Sequence, residues 1–434
     1  MDKMADVLGR AGAWCGQNKY LSAIKNAFQN FMPLTIAGAI GVLWCNVLVN
    51  DQTGLGLFFK PIMALDFLNP AFQAVNFCTI SCITVGITLG IAQEIGVWNM
   101  GAERAGYIPG LVGLAAWLSV TNTSHMVEGA KEAFTGIAGN ELGATGLFTG
   151  MIIGVLSVEL FCFFEKQDAL KIKMPEQVPP GVARAFEVLV PATITLIITA
   201  CIGSACYNLT GLYLNDVIKN GIQGPLGAVG ATIPGVMIIY LVIMLFWLVG
   251  IHGNNMLSAV KEALFTPLAL ENVEKFNKGE KPTNIINMYA LQMWGEFGGS
   301  GVTIGLVIAI MIFGKREDNK AIATLSLVPG LFNINETVTF GVPMVLNPIL
   351  GIPFVVAPLI TIIIGYVLTV IGFCPVACLT VPWTTPPIVF GFLACGANVM
   401  GAVTQAILIV VSTVIYVPFL IAYEKYQNKQ AAEA

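Results

Sequence analysis

MIIYLVIMLFWLVG, residues 237–250, is apolar on every side of any element it could form. A strand of a closed membrane barrel would alternate apolar and polar residues over roughly ten positions, and a helix on a water-facing surface would keep a polar stripe. Neither pattern is present, so the stretch reads as a helix surrounded by hydrocarbon or by other helices. The same texture recurs outward from it, at 31–49, 74–93, 144–158, 188–209, 228–250, 285–313, 355–372 and 402–422. About twenty such residues cross ~30 Å of hydrocarbon as a helix. Of 434 residues, 56% are hydrophobic and 11% charged, against roughly a quarter charged in an ordinary soluble domain, and the mean hydropathy is +0.79. The expected fold class is an all-α integral membrane protein.

Charge and cysteine usage exclude several other readings. Residues 1–25 are amphipathic and mildly basic, with no apolar core followed by a small-residue cleavage site, so no cleavable signal is expected. The net charge of −4 implies no nucleic-acid partner, and orientation in a bilayer follows the Lys and Arg of short loops instead. The ten cysteines lie mostly within apolar runs (Cys45, Cys78, Cys82, Cys201, Cys206, Cys395), with no CxxC pair. Small apolar packing is their expected role, and neither a metal site nor a cofactor is expected.

Basic residues cluster at 3–25, 166–184, 275–281, 315–320 and 425–429, which nominates those segments as cytoplasmic. With the N-terminus inside, about four spans return the chain to the cytoplasm at KIKMPEQVPPGVAR (171–184), whose prolines resist helix. That linker is the expected boundary between an N-terminal half, 1–183, and a C-terminal half, 184–434. Beyond it, one simple span between Lys281 and Lys315 would put two basic clusters on opposite sides, so something there crosses only partway. The runs 321–328 and 338–346 are each too short to span and are interrupted by Pro329, Gly330, Pro343 and Pro348. They read as half-membrane helices. Bare peptide groups at membrane depth are tolerated only where protein or a water-filled cavity satisfies them, so broken helices point to a binding site.

Glu336, within LFNINETVTFGVP, is the only charged residue from Ala321 to Tyr423. Insertion scales put an intramembrane charge at roughly +3 kcal/mol, so such a residue normally faces a cavity and does functional work. The bland reading is a structural acid held by hydrogen bonds. His252, in WLVGIHGNN, stands in a segment without Asp, Glu, Lys or Arg between Lys219 and Lys261, flanked by Gly250 and Gly253. Alone it could be a satisfied core histidine. Together, an imidazole that donates and accepts and a carboxylate that can take a proton from an alcohol suit a hydroxylated ligand, and sugars fit. Asn333, Asn335, Asn254 and Asn255 add amides for ring hydroxyls, and Gly253 admits close approach of backbone or ligand. Trp383, in PWTTPP, offers a face for a pyranose ring or an interfacial anchor. Gln292, Trp294 and Glu296 precede GGSG (298–301), where packing is the default reading. Glu94, Glu103 and Glu159 lie near plausible interfaces and read as snorkelling or paired.

The stretches FMPLTIAGA (31–39), WLVGIHG (247–253), FGGSGVTIGL (297–306), GLFNINETVTFGVPMVLNPILGIPFV (330–355) and VPWTTPPIVFGF (381–392) resemble enzyme IIC of the phosphoenolpyruvate-dependent sugar phosphotransferase system, in the lactose and cellobiose (β-disaccharide) branch. The resemblance spans nearly the whole chain. It implies about ten transmembrane helices, a homodimer formed through the N-terminal half, and re-entrant hairpins in the C-terminal half that cradle the sugar. It also implies that His252 and Glu336 are the sugar-binding pair, with Asn335 and Trp383 helping to hold the sugar; Asn333, Gly253, Asn254 and Gln292 are expected around them from their residue types. Glu336 would orient or deprotonate the sugar 6-hydroxyl for attack on a phosphocysteine of IIB. Two departures from the family pattern are Thr337, where INEP is usual, and Glu296, where the residue before GGSG is commonly apolar.

The expected function is therefore translocation of a β-linked disaccharide, of the cellobiose or diacetylchitobiose class, across the bacterial cytoplasmic membrane. The chain shows no phosphoryl carrier of its own, so IIA and IIB are expected as separate proteins, with which it would act as a sugar phosphotransferase. A proton-coupled sugar symporter, in which Glu336 and His252 titrate, is the alternative.

Overall fold

The computed structural model describes residues 10, 14, 17–51, 55–125, 134–175, 177–225, 230–342, 344 and 347–433. Lys3, Pro343 and Leu346, which entered the topology reading, lie outside these. The fold is almost wholly helical; the only paired strands among the described residues are the short antiparallel β1 (Ser124–His125) and β2 (Phe134–Thr135).

One compact unit comprises Gln17–Gly38 with Ala74–Ala228. It contains the first part of α1 (Lys19–Leu43), then α2 (Ile83–Met100), α3 (Ile108–Val120), α4 (Ala144–Glu165) and α5 (Pro180–Thr210). Helix α5 starts on Pro180, whose missing N–H costs nothing at a helix start, and stops at Gly211, which adopts a left-handed φ of 71°. The unit thus runs through the 171–184 linker, and residues 184–225 pack with the segment before them, α5 lying against α3 and α4. In lipid there is little hydrophobic drive between helices, so close contact between small residues supplies the packing. Gly113 sits against Ala92, Gly150 and Gly154 against Thr88, and Gly203 against Val120. Trp117 fills the centre with Ala116, Val120 and Ile153. Lys19 pairs with Glu159 at 2.6 Å, and Asn26 donates to Glu94 at 2.9 Å.

The other unit comprises Ala39–Gln73 with Val229–Ala434. Its helices are α6 (Ile233–Leu248), α7 (Gly253–Met256), α8 (Ser258–Asn277), α9 (Met288–Gly295), α10 (Ile304–Phe313), α11 (Glu317–Leu331), α12 (Glu336–Gly341), α13 (Gly351–Val370), α14 (Val389–Ala394) and α15 (Val399–Glu433). The apolar run 285–313 is not one helix: it breaks into α9 and α10 around Glu296–Thr303. Helix α10 packs on α15, with Gly305 against Ser412, and α9 on α13, with Gly365 against Trp294.

Among the described residues, five helices are long and apolar enough to cross a bilayer, or six if Lys60–Ser81 and Ile83–Met100 form one broken span, and Ile108–Val120, Ile233–Leu248 and Ile304–Phe313 are shorter apolar helices. Their outward faces remain apolar: Ile197, Ile202 and Leu209 on α5, and Val410, Val414 and Ile421 on α15, are all exposed. Such faces require lipid, not water.

Candidate functional site

The site lies within the second unit, where its helices break. Helix α6 ends at Leu248, and His252 caps the short α7 that follows. The Asn255 N–H donates to His252 Nδ1 at 3.2 Å. Because Nδ1 is the acceptor, a neutral ring carries its proton on Nε2, which is left as a donor. The ring lies 4.5 Å from that of Trp247, whose other neighbour is the edge of Phe354. Gly253 is required here: a Cβ would press on the Ile243 carbonyl group.

The 296–303 break is a tight left-handed loop. Gly298, Gly299, Gly301 and Val302 have φ of 70°, 89°, 80° and 50°, and Tyr416 on α15 donates its hydroxyl to the Gly301 carbonyl at 2.8 Å. Against the loop lies the break between α11 and α12. Asn333, itself at φ 62°, accepts from the Gly298 N–H at 2.6 Å and donates to the carbonyls of Trp383 and Thr385. Asn335, 4% exposed, donates to the Ser300 carbonyl at 2.7 Å. Gly299 allows this approach, since a Cβ there would come within 2.6 Å of Asn335 Cγ. The PWTTPP segment is held on its far side by Gln405, whose Oε1 accepts from the N–H groups of Ile388 and Gly391 at 2.7 and 2.8 Å.

Glu336 is the first residue of α12 and is exposed. Its charge acts on the His252 imidazole, as do those of Glu296 and Lys261. Trp383 is 44% exposed, and its carbonyl accepts from Asn333. Gln292, on α9, keeps a buried Oε1 that makes no hydrogen bond within the protein. Asn254 donates to Ser300 Oγ at 2.8 Å. Both amide hydrogens of Asn333 are committed to backbone, so its part is to clasp the site and not to offer donors to a ligand.

Sequence reasoning did not find Lys261 and Tyr240. Lys261, on α8, is buried, pairs with Glu296 and donates to Asn254 Oδ1 at 3.2 Å, while the Tyr240 hydroxyl donates to Glu296 Oε1 at 2.7 Å. The signal was available: Lys261 is the first charge after an otherwise uncharged stretch, and Glu296 lies inside an apolar run.

The family model of the phosphotransferase system EIIC matches residues 25–358. The chain belongs to this EIIC family. Among its relatives, the oligo-beta-mannoside-specific EIIC component of Bacillus subtilis (strain 168) is 32% identical over 429 residues, covering 98% of this chain and 94% of that one. The cellobiose-specific EIIC component of Lactococcus lactis subsp. lactis (strain IL1403) is 30% identical, covering 98% of each. The crystal structure of the transporter ChbC, the IIC component of the N,N'-diacetylchitobiose-specific phosphotransferase system, matches with a TM-score of 0.88 at 29% identity and covers 97% of both chains. As an EIIC, the protein is a multi-pass component of the bacterial cytoplasmic membrane that works on a carbohydrate with IIA and IIB components. Membership couples uptake to phosphoryl transfer and leaves the proton-coupled symporter without support.

Proposed function

We propose that this EIIC binds a β-linked disaccharide of the cellobiose or diacetylchitobiose class at His252 and Glu336 and presents it to the phosphorylated IIB protein. The observation that carries the reading is the convergence of four broken segments, at 249–255, 296–303, 332–336 and 383–388, on one group of polar side chains. The names of its relatives, for oligo-beta-mannoside, cellobiose and N,N'-diacetylchitobiose, share β-linked sugars.

The chemistry follows from the groups. The sugar 6-hydroxyl oxygen attacks phosphorus, the P–S bond to the IIB cysteine breaks, and the thiolate leaves. Glu336 accepts the hydroxyl proton as the P–O bond forms. His252, with Nε2 as donor, fixes an adjacent hydroxyl, and Trp383 offers an apolar face to the ring. Asn335, Asn254 and Gln292 complete the polar lining, Gly253 gives close access, and Asn333 holds the frame. Sugar binding belongs in this reading to 184–434 and homodimerisation to 1–183, with 184–225 packed beside the latter. About ten membrane-crossing helices, with re-entrant hairpins at α9–α10 and α11–α12, are part of the same proposal, as are IIA and IIB acting as separate proteins.

The test is Glu336→Gln in membrane vesicles supplied with phosphoenolpyruvate, the general phosphotransfer proteins, and the IIA and IIB partners. Formation of phospho-cellobiose should fall about 10²- to 10⁴-fold, the range for loss of a positioned base, while cellobiose binding to the purified protein persists. Phosphorylation at the parent rate would remove this carboxylate from the chemistry.

A further inference from the structure

Two buried charges sit beside the site, and sugar chemistry does not account for them. Lys261 and Glu296 form an ion pair with side chains 7% and 17% exposed. Burying a pair is weak evidence for stability, because apolar residues of the same volume often serve as well or better. Their remaining hydrogen bonds indicate another role. Glu296 is anchored to α6 by the Tyr240 hydroxyl at 2.7 Å. The Lys261 ammonium points a second of its three donors at Asn254 Oδ1, 3.2 Å away.

An asparagine amide can rotate by half a turn and exchange its donor for its acceptor with almost no change of shape. Ser300, the other partner of Asn254, cannot choose between the two orientations, since a hydroxyl both donates and accepts. Lys261 can choose: an ammonium only donates, so it admits the oxygen and rejects the NH₂. With Oδ1 fixed there, Nδ2 is turned to Ser300 Oγ at 2.8 Å, and the Ser300 carbonyl accepts from Asn335 at 2.7 Å, one residue before Glu336.

We infer that Lys261 and Glu296 are a positioning pair, which sets the amide orientation of Asn254 and, through Ser300, ties the His252 loop to the segment carrying Asn335 and Glu336. The pair does not touch the sugar. This deepens the function proposed above and rests on it for the sugar readouts alone.

The experiment compares the parent with the charge-free double variant Lys261→Met/Glu296→Gln, which keeps an acceptor for Tyr240. Hydrogen exchange is followed in purified, sugar-free protein over 250–258 and 298–302, and cellobiose and diacetylchitobiose binding by calorimetry. The double variant should unfold near the parent temperature, exchange about tenfold faster in those two segments, and bind the sugar about tenfold more weakly. Its kcat with saturating sugar and phosphorylated IIB should stay within about twofold of the parent. Asn254→Ala should weaken binding in the parent and add almost nothing in the double variant, because the amide is already free to turn. Unchanged exchange, or a full additional loss on Asn254→Ala, overturns the inference. If neither disaccharide binds the parent, the proposed substrate class falls while the exchange readout still decides the pair. Should the double variant not accumulate, Ser300→Ala cuts the same chain without touching a charge; faster exchange at 250–258 supports the inference and parental exchange overturns it.

Discussion

The two compact units differ in how far their side-chain amides reach to satisfy backbone. In the unit holding α2 to α5, several buried hydroxyls turn back on their own helix: Ser157 donates to the Ile153 carbonyl at 2.6 Å, Thr195 to Pro191 at 2.9 Å and Thr199 to Thr195 at 3.1 Å, while Thr84 and Thr149 reach Gly143 and Asn215. In the unit holding α6 to α15, carboxamides reach far along the sequence to backbone that no helix satisfies. Asn272 donates to the Ala377 carbonyl at 3.0 Å and accepts from the N–H groups of Thr283 and Asn284. Gln405 serves Ile388, Gly391 and Met293, and Asn333 serves Gly298, Trp383 and Thr385. A continuous helix satisfies its own backbone and offers nothing to a ligand; a broken one must be held by side chains, and only there can polar groups line a site at membrane depth.

The largest effect that tests this contrast is expected at Asn333. Asn333→Ala leaves the buried Gly298 N–H without its partner, worth about 1–3 kcal/mol, releases the less buried carbonyls of Trp383 and Thr385, and places a residue at φ 62° that alanine adopts reluctantly. A loss of about 3 kcal/mol or more of stability, with transport abolished, should appear in thermal unfolding and vesicle uptake. A stable, active variant would mean that the clasp is dispensable.

Gly299→Ala comes next. Its φ of 89° and the approach of Asn335 Cγ to 2.6 Å of the new Cβ combine backbone strain with a clash, together about 2–3 kcal/mol. Because the clash pushes on Asn335, sugar binding should fail before folding does. Calorimetry on protein still folded by thermal scan separates the two.

Most of the contrast was legible from residue order, and its details were not. The apolar runs announced a membrane protein, since composition alone decides what lipid tolerates. The interruption near 296–303 was legible only as a mismatch of basic clusters, because GGSG reads equally as a packing surface. Asn333 read as a ligand for sugar, yet its donors are spent on backbone; side-chain type cannot say which of two amide duties wins. Lys261 was missed because its partner Glu296 lies 35 positions on, and pairing at that range is decided by the fold.

His252→Asn sharpens the comparison at smaller scale. Asparagine is a good N-cap, so its side-chain oxygen should replace Nδ1 as acceptor for the Asn255 N–H and preserve α7. The Nε2 donor is lost, and one hydrogen bond to a hydroxyl is worth about 1–1.5 kcal/mol, so sugar affinity should drop about tenfold with thermal stability unchanged. His252→Ala should lose both cap and donor. Equal behaviour of the two variants would assign the imidazole a packing role against Trp247.

The smallest effect is expected in the other unit, and its smallness is the point. Ser157 is fully buried, yet its hydroxyl returns to Ile153, a carbonyl its own helix already engages. Such back-bonding adds little to a helix and slightly bends it. Ser157→Ala removes donor and acceptor together and strands no other buried group, so the change in stability should stay within about 0.5 kcal/mol, and transport should match the parent. If thermal unfolding instead showed a loss comparable to Asn333→Ala, buried polar groups would carry equal weight in both units. The broken helices, and not the mere burial of polarity, would then lose their claim to be what makes the site.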